Sequence, residues 1–469
     1  MPNLQTQGSK PNTPGLVRQL GFFSATALVI SNMVGMAIFT TTGYMAADLG
    51  SARLILACWT VGALFALAGA ISYSELGINF PSSGGEYVYL TRAYGPEWGF
   101  MTGWVSFFAG FSAPIAAAAL GFSGYLGHIF PLLRQDHASL VLGSGTFSLR
   151  IGAGQLSASA LIAAFTALNC FGVGRTAKVQ NVLTSSKLII IVGFVALGFA
   201  SGNGHWSHFS EPAIRTSTAS LPTAFIVQML WVMVGYSGWN AATYVAEEVR
   251  RPERILPAAL AVGTLIVAVL YVGLNLTFIY ATPLEVMKQG NTPELAPGAI
   301  SAVNLFGPSI GGVWAALMAL CLISTVNAEV TVGPRVYYAM AKNRAFFSAA
   351  AWVHPRWHTP VVAIVCQGLC AILMTATPFP DLVTYIGMSL TLFTVLSVAS
   401  LFVFRRKQPG WQRLRAVDFA YPLIPALYIL VGTAMVIFGL KEHPWASLSA
   451  FATIGAGALV YRFGVRPVA

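Results

Sequence analysis

The sequence predicts an all-α integral membrane protein of about twelve transmembrane helices. Three observations carry that expectation. Hydrophobic residues make up 56% of the 469-residue chain and charged residues only 9%, whereas a soluble domain is about 25% charged. Mean hydropathy is +0.70, so most of the surface must face lipid. Apolar stretches near the ~20 residues that cross a bilayer recur along the whole length.

The predicted spans are 20–47, 54–79, 97–130, 155–172, 180–201, 220–247, 256–281, 308–342, 360–376, 381–403, 419–439 and 445–462. A short surface helix is expected near 297–306, ahead of the eighth. The longest gaps, 131–154 and 343–359, are too short for a core of their own. Any chemistry must therefore occur within the bundle or at its mouths.

The formal charge of +11 could suggest a nucleic-acid partner, but such partners need one basic face or stripe. Here Lys and Arg sit in short gaps between apolar runs. With the N-terminus inside, nineteen of the 26 fall on the inner side and six outside, namely Arg53, Arg134, Arg150, Arg215, Lys288 and Lys441. That asymmetry predicts cytoplasmic termini in a cell membrane, plasma or inner. The polar stretch before residue 20 lacks a cleavage pattern after a short apolar core, so the first span reads as a retained helix.

Two spans carry small and polar residues at mid-depth. The first reads Ser31-Asn32-Met33-Val34-Gly35-Met36-Ala37-Ile38-Phe39, and the sixth Trp231-Val232-Met233-Val234-Gly235-Tyr236-Ser237-Gly238-Trp239-Asn240. Glycine costs a helix interior about 0.5–1 kcal/mol relative to alanine. Close helix packing explains either segment alone. Together they lie five spans apart, the offset expected of two inverted five-helix repeats. The chain then divides into a tail 1–19, repeats 20–201 and 220–403, two further helices in 419–462, and a tail 463–469. In that arrangement free N–H groups at a half-helix start suit an anion and free carbonyls at a half-helix end suit a cation. A zwitterion satisfies both.

Two ionisable residues lie at membrane depth. Lys187 is near the cytoplasmic start of the fifth span and either snorkels to the headgroups or points inward beside the first break. Glu329, in the eighth span, is either a proton or cation site or a structural acid bonded to backbone or Asn327. A Lys187–Glu329 pair is open at this point. Glu75 and Glu86 flank Pro81-Ser82-Ser83-Gly84-Gly85, and Glu247, Glu248, Arg250, Arg251 and Arg254 close the sixth span. Both clusters read as cytoplasmic gate or cap charges, with Trp239 and Glu247 as gate residues.

The five cysteines all lie in apolar runs and read as packing. His354 and His358 share a loop with Pro355 and do not read as a metal site. No nucleophile elbow, P-loop or zinc-protease motif occurs, so neither an enzyme nor a cofactor is expected.

Four stretches jointly resemble the amino acid–polyamine–organocation superfamily, in particular its L-type amino acid transporter and bacterial amino acid permease branch. They are Met33 to Phe39, Tyr73-Ser74-Glu75-Leu76-Gly77 running on to Ser83-Gly84-Gly85-Glu86-Tyr87, Tyr236 to Asn240 with Glu247-Glu248-Val249 and Arg251-Pro252-Glu253-Arg254, and Gly333 to Ala341 followed by His354-Pro355-Arg356. Their order and spacing match the family from end to end.

The resemblance implies the leucine-transporter fold with alternating access. A substrate carboxylate would meet the amides of Gly35, Met36 and Ala37, and its amine the carbonyls of Met33, Val34, Val234 and Ser237, with Tyr236 alongside. Lys187 would stand in for a sodium ion. The family usually has Gly-Ser/Thr-Gly where this chain has Gly35-Met36-Ala37, which implies a narrower and more apolar site. It often has an aromatic gate where Val234 stands. Its eukaryotic branch tethers a subunit through a cysteine after the third span, and 131–154 contain none, so no disulfide-linked partner is expected.

The leading expectation is a sodium-independent carrier of neutral or apolar amino acids, proton-coupled or an exchanger. A polyamine or cationic amino acid carrier is the alternative, with Glu329 its deep carboxylate. A non-transporting sensor is disfavoured by the short tails. A channel is disfavoured because no charge ring or repeated filter loop is present.

Overall fold

The computed structural model describes residues 16–134, 138–142, 149–289, 296–377, 379–442 and 444–465. Most of the two expected tails lies outside them. Among the described residues, nine helices are long and apolar enough to cross a membrane, and they coincide with spans 1 to 5, 7, 8, 10 and 11. The sixth and ninth spans contain the shorter apolar helices Leu221–Tyr236 and Val361–Met374, and the twelfth is Pro444–Gly464. The surface helix expected ahead of the eighth span is Pro297–Phe306.

Helix ends follow local chemistry. Proline opens Pro96–Val105, Pro252–Ala281 and Pro297–Phe306, where its missing N–H costs nothing and its fixed φ is already helical. Gly50, at φ +62°, closes the first span, as a left-handed cap favours glycine. The fifth helix runs Val173–Ala200 and starts seven residues before the expected 180. Arg175, Lys178 and Gln180 are too polar for a hydropathy boundary yet are good helix formers.

Two elements were not expected. Glu86–Tyr94 is a helix between the second and third spans. An antiparallel hairpin, Ala138–Leu142 with Leu149–Gly152, follows the third span. Its strands are too short for periodicity to separate them from loop.

The first and third spans are the most enclosed, with 72% of their apolar windows buried, while the fourth, fifth and eleventh bury only 28%. The former are therefore central and the latter face lipid. The first, second, sixth and seventh spans pack on one another, and the eighth packs on the third, fourth and fifth. The tenth touches members of both groups.

The start of the first interrupted span and the end of the sixth are tied through backbone. Gln19 N and Leu20 N donate to Glu248 O at 2.9 Å each, and Arg250 N donates to Leu20 O at 2.9 Å. The Glu248 carboxylate in turn accepts from Arg335 Nε at 2.7 Å and Nη2 at 3.2 Å, with both side chains at most 1% exposed. Arg335 Nη1 donates to Thr331 O at 2.6 Å. This fork joins the sixth span's end to the eighth span's. A second fork joins Arg405 to Glu75 at 2.8 and 2.7 Å. Trp411 Nε1 and Leu414 N complete the Glu75 carboxylate at 2.7 and 3.0 Å.

A buried ion pair loses about 3–5 kcal/mol when only one partner is removed. Arg335→Ala should therefore lower the apparent melting temperature in detergent sharply, while replacing both Arg335 and Glu248 with apolar residues should recover much of the loss. Equal melting of the single and double variants would contradict this account of the fork.

Glycines at the breaks give a second test. Gly238 has φ +97°, and a Cβ there would lie 2.7 Å from backbone and side-chain carbons of Asn32. At Gly35 a Cβ would meet nothing nearer than Thr325 Cγ2 at 4.0 Å. Gly238→Ala should cost about 1–3 kcal/mol or more, and Gly35→Ala much less, as read by thermal melting of the two variants side by side.

Candidate functional site

The first span is two helices, Phe22–Met33 and Ala37–Leu49. Val34 leaves the helix at ψ 82°, its N–H still bonded to Ile30 O at 2.9 Å. Gly35 N turns back to Met33 O at 2.9 Å. A helix start leaves its first amides without intrahelical acceptors, here those of Met36, Ala37 and Ile38. Of the three amides expected to face an anion, Gly35 is thus already used.

The sixth span is helical over Leu221–Tyr236, extends at Ser237 with ψ 148°, turns at Gly238, and resumes as Ala241–Tyr244. Ser237 N and Oγ both donate to Val234 O, at 3.1 and 2.7 Å. Tyr271, in the seventh span, places its hydroxyl 2.6 Å from Met33 O and 2.8 Å from Gly235 O. Its single proton serves the carbonyl ends of both half-helices. Tyr271 was not among the expected site residues. The signal was a phenol at mid-depth in an otherwise aliphatic run, since a buried tyrosine hydroxyl needs a partner.

Lys187 is fully buried and does not snorkel. Its ammonium lies 2.7 Å from Val34 O, 3.0 Å from Thr325 Oγ1 and 3.5 Å from Ser31 O. Thr325 Oγ1 also donates to Val34 O at 2.8 Å. The cation therefore sits on a carbonyl freed by the break, beside a hydroxyl of the eighth span. Lys187 and Glu329 form no ion pair or hydrogen bond with each other.

Next to Lys187 begins a buried polar chain. Ser31 Oγ lies 2.7 Å from Thr184 Oγ1 and 2.8 Å from Ser324 Oγ. Gln180 Nε2 donates to Thr184 Oγ1 and Ser324 Oγ at 3.1 Å each, and Gln180 Oε1 accepts from Asn327 Nδ2 at 2.6 Å. Asn327 Oδ1 accepts from Asn169 Nδ2 at 3.0 Å, and Asn169 Oδ1 from Thr331 Oγ1 at 2.8 Å. Thr331 O leads on to Arg335 and Glu248. Asn327 is thus engaged by Gln180 and Asn169 rather than by Glu329.

A cavity of about 670 Å³, its open mouth included, lies beside the sixth-span break. Asn32, Ser237, Trp239, Asn240, Glu86 and Glu329 supply its polar lining, and Phe65, Phe111 and Tyr428 its aromatic walls. The third span contributes Ser106, Gly110 and Pro114 where Ser106–Ser112 widens into a π-helix. Such bulges concentrate at functional sites, and this one admits a proline within a continuous span.

Of the eight residues expected to bind substrate, the cavity is lined by Ser237. The side chain of Met36 faces Gly121 and Leu322, and that of Val234 faces Gly387. Tyr236 is turned away, its hydroxyl on Trp59 O at 3.1 Å. Met33, Val34, Gly35 and Ala37 contribute backbone at the break rather than cavity wall. Trp239 and Glu329 do line it. Glu247 sits at the rim, 3.8 Å from Lys342, while its neighbour Glu248 takes the enclosed fork. Glu86 points inward to Tyr73 Oη at 2.7 Å and Asn240 Nδ2 at 2.9 Å, so it is no surface cap.

The chain is similar to transporters along nearly all its length. The mouse large neutral amino acids transporter small subunit 2 is 28% identical, over 96% of this chain and 81% of its own. The serine/threonine exchanger SteT of Bacillus subtilis is 28% identical over 96% and 98%. The rat b(0,+)-type amino acid transporter 1 is 27% identical over 97% and 89%. The amino acid permease family model matches residues 20–459, an extent that takes in both broken helices, Lys187 and the cavity, and this multi-pass membrane protein belongs to that family.

Proposed function

We propose that the chain is a secondary active transporter of neutral amino acids, independent of sodium, working by alternating access. The observation that carries this is the ammonium of Lys187 on Val34 O and Thr325 Oγ1, at 2.7 and 3.0 Å. Carbonyl and hydroxyl oxygens are the donors a hard metal cation takes. A tethered ammonium in their midst supplies the positive charge that a bound ion would otherwise bring.

The substrate carboxylate is directed to the amides of Met36 and Ala37, at the positive end of the outer half-helix. Apolar and aromatic walls favour a neutral side chain. The packed group of spans 1, 2, 6 and 7 rocks against the rest, with Trp239 and the rim charge of Glu247 closing the cytoplasmic side. Residues 20–201 and 220–403 are the two inverted repeats. The termini face the cytoplasm of a cell membrane, and the chain works without a disulfide-tethered subunit. The relative named as a serine/threonine exchanger supports exchange as the coupling mode.

Proteoliposomes preloaded with unlabelled leucine or serine should accumulate the labelled amino acid equally well in sodium and in choline buffer. Arginine and putrescine should compete poorly. Uptake that requires sodium, or that putrescine abolishes, would reject this reading.

Removing the ammonium leaves Val34 O with the Thr325 hydroxyl alone. Lys187→Met is expected to lower the uptake rate at least tenfold, with the protein still inserted and monodisperse. Unchanged uptake with unchanged pH dependence would remove Lys187 from the coupling machinery.

A further inference from the structure

The breaks raise a problem of acceptors. A substrate ammonium offers three donors and must surrender its hydration on entry. Of the four carbonyls expected to receive it, all but Ser237 O are already served by the protein. Met33 O has Tyr271 Oη and Gly35 N, Val34 O has Lys187 and Thr325, and Val234 O has both donors of Ser237.

The cavity wall holds acceptors that are not served. Four glutamates are buried among the described residues. Glu75 is forked by Arg405, Glu248 by Arg335, and Glu86 takes Tyr73 and Asn240. The Glu329 carboxylate has no hydrogen-bond donor and no ion pair among the described residues, is 6% exposed, and lines the cavity. Asn32 lines the same cavity. Its Nδ2 is spent on Leu28 O at 2.8 Å, which leaves Oδ1 buried and without a partner.

A buried carboxylate without a counter-charge is costly, and so is a buried amide oxygen without a donor. One ammonium remedies both, bringing the compensating charge to Glu329 and a donor to Asn32.

We propose that Glu329 and Asn32 form the subsite that receives the α-ammonium of the amino acid beside the breaks. This rests on the amino acid transport reading above and moves the amine from the break carbonyls to a side-chain carboxylate of the eighth span. The same pair discriminates against substrates that lack the amine. A hydroxyl in its place carries no charge to match Glu329.

The test uses the full chain in proteoliposomes, with labelled leucine as substrate and 2-hydroxy-4-methylpentanoate as the amine-free competitor. Wild type should prefer leucine by at least a hundredfold. Glu329→Gln should raise the KM for leucine at least tenfold and change the maximal rate less. Its inhibition by the hydroxy acid should stay within threefold, so the preference collapses. Asn32→Ala should shift the KM in the same direction by a smaller factor, and Glu329→Asp should restore part of the preference.

A KM for leucine unchanged in Glu329→Gln would overturn the proposal. So would a parallel loss for leucine and the hydroxy acid, the mark of a merely structural residue. If Glu329→Gln fails to insert, Glu329→Asp and Asn32→Ala decide by the same ratio, and an unaltered ratio in both overturns it. Wild-type protein that took up no amino acid would instead remove the transport reading itself.

Discussion

Everything at the centre of the molecule depends on how the first span can stop at Met33 and restart at Ala37 without leaving main-chain groups bare. In hydrocarbon no water is available to take them, and each unsatisfied group costs several kcal/mol. Three side chains from three other spans meet that cost. Lys187 and Thr325 hold Val34 O, and Tyr271 holds Met33 O together with Gly235 O of the sixth span. The break is therefore a property of four or five helices at once.

The same constraint explains the polar chain from Ser31 to Arg335. Lys187 is stable at depth because its surroundings are oxygen-rich, and those oxygens in turn need donors. The demand is passed from Ser31 and Thr184 through Gln180 and Asn327 to Asn169 and Thr331. It ends where Arg335 meets Glu248 at the sixth span's C-terminal end. A fully connected polar network is rigid and specific, whereas a partly satisfied one is a liability. Here the connected network runs from Ser31 in the first span through the fourth, fifth and eighth spans to the end of the sixth. The unsatisfied acceptors, Glu329 and Asn32 Oδ1, belong to residues that line the cavity.

How much of this was legible in the sequence follows from which forces write themselves as local patterns. Hydropathy placed all twelve spans within a few residues, because lipid imposes an apolar run of fixed length. It missed the start of the fifth helix, where Arg175 and Lys178 continue a helix beyond the apolar zone. Glycine and small polar residues marked both breaks. Their partners were harder. Lys187 was visible as a lone charge, but snorkelling and inward burial have the same sequence. Tyr271 and the Arg335–Glu248 fork were invisible as pairs, since contacts between the sixth, seventh and eighth spans leave no spacing rule. Side-chain directions left no local signal: those of Met36, Val234 and Tyr236 turn to Gly121, Gly387 and Trp59 O, while Met36 and Val234 are expected at the site through their backbone groups.

Those directions change what the departures at Met36, Ala37 and Val234 mean. A long side chain at position 36 would narrow a binding site only if it pointed there. Instead Met36 packs where Gly121 in the third span leaves room, so the loss of a small hydroxyl residue is absorbed by helix packing. Val234 is matched in the same way by Gly387. On the reading proposed above, substrate selection falls to the cavity wall, namely the π-widened turn of the third span, the aromatic residues around Trp239, and the acceptors at Asn32 and Glu329. The break would supply amides and the wall discrimination. Because the π-widened turn and Glu329 lie on the third and eighth spans, that part of the wall can change without altering the backbone of the first break.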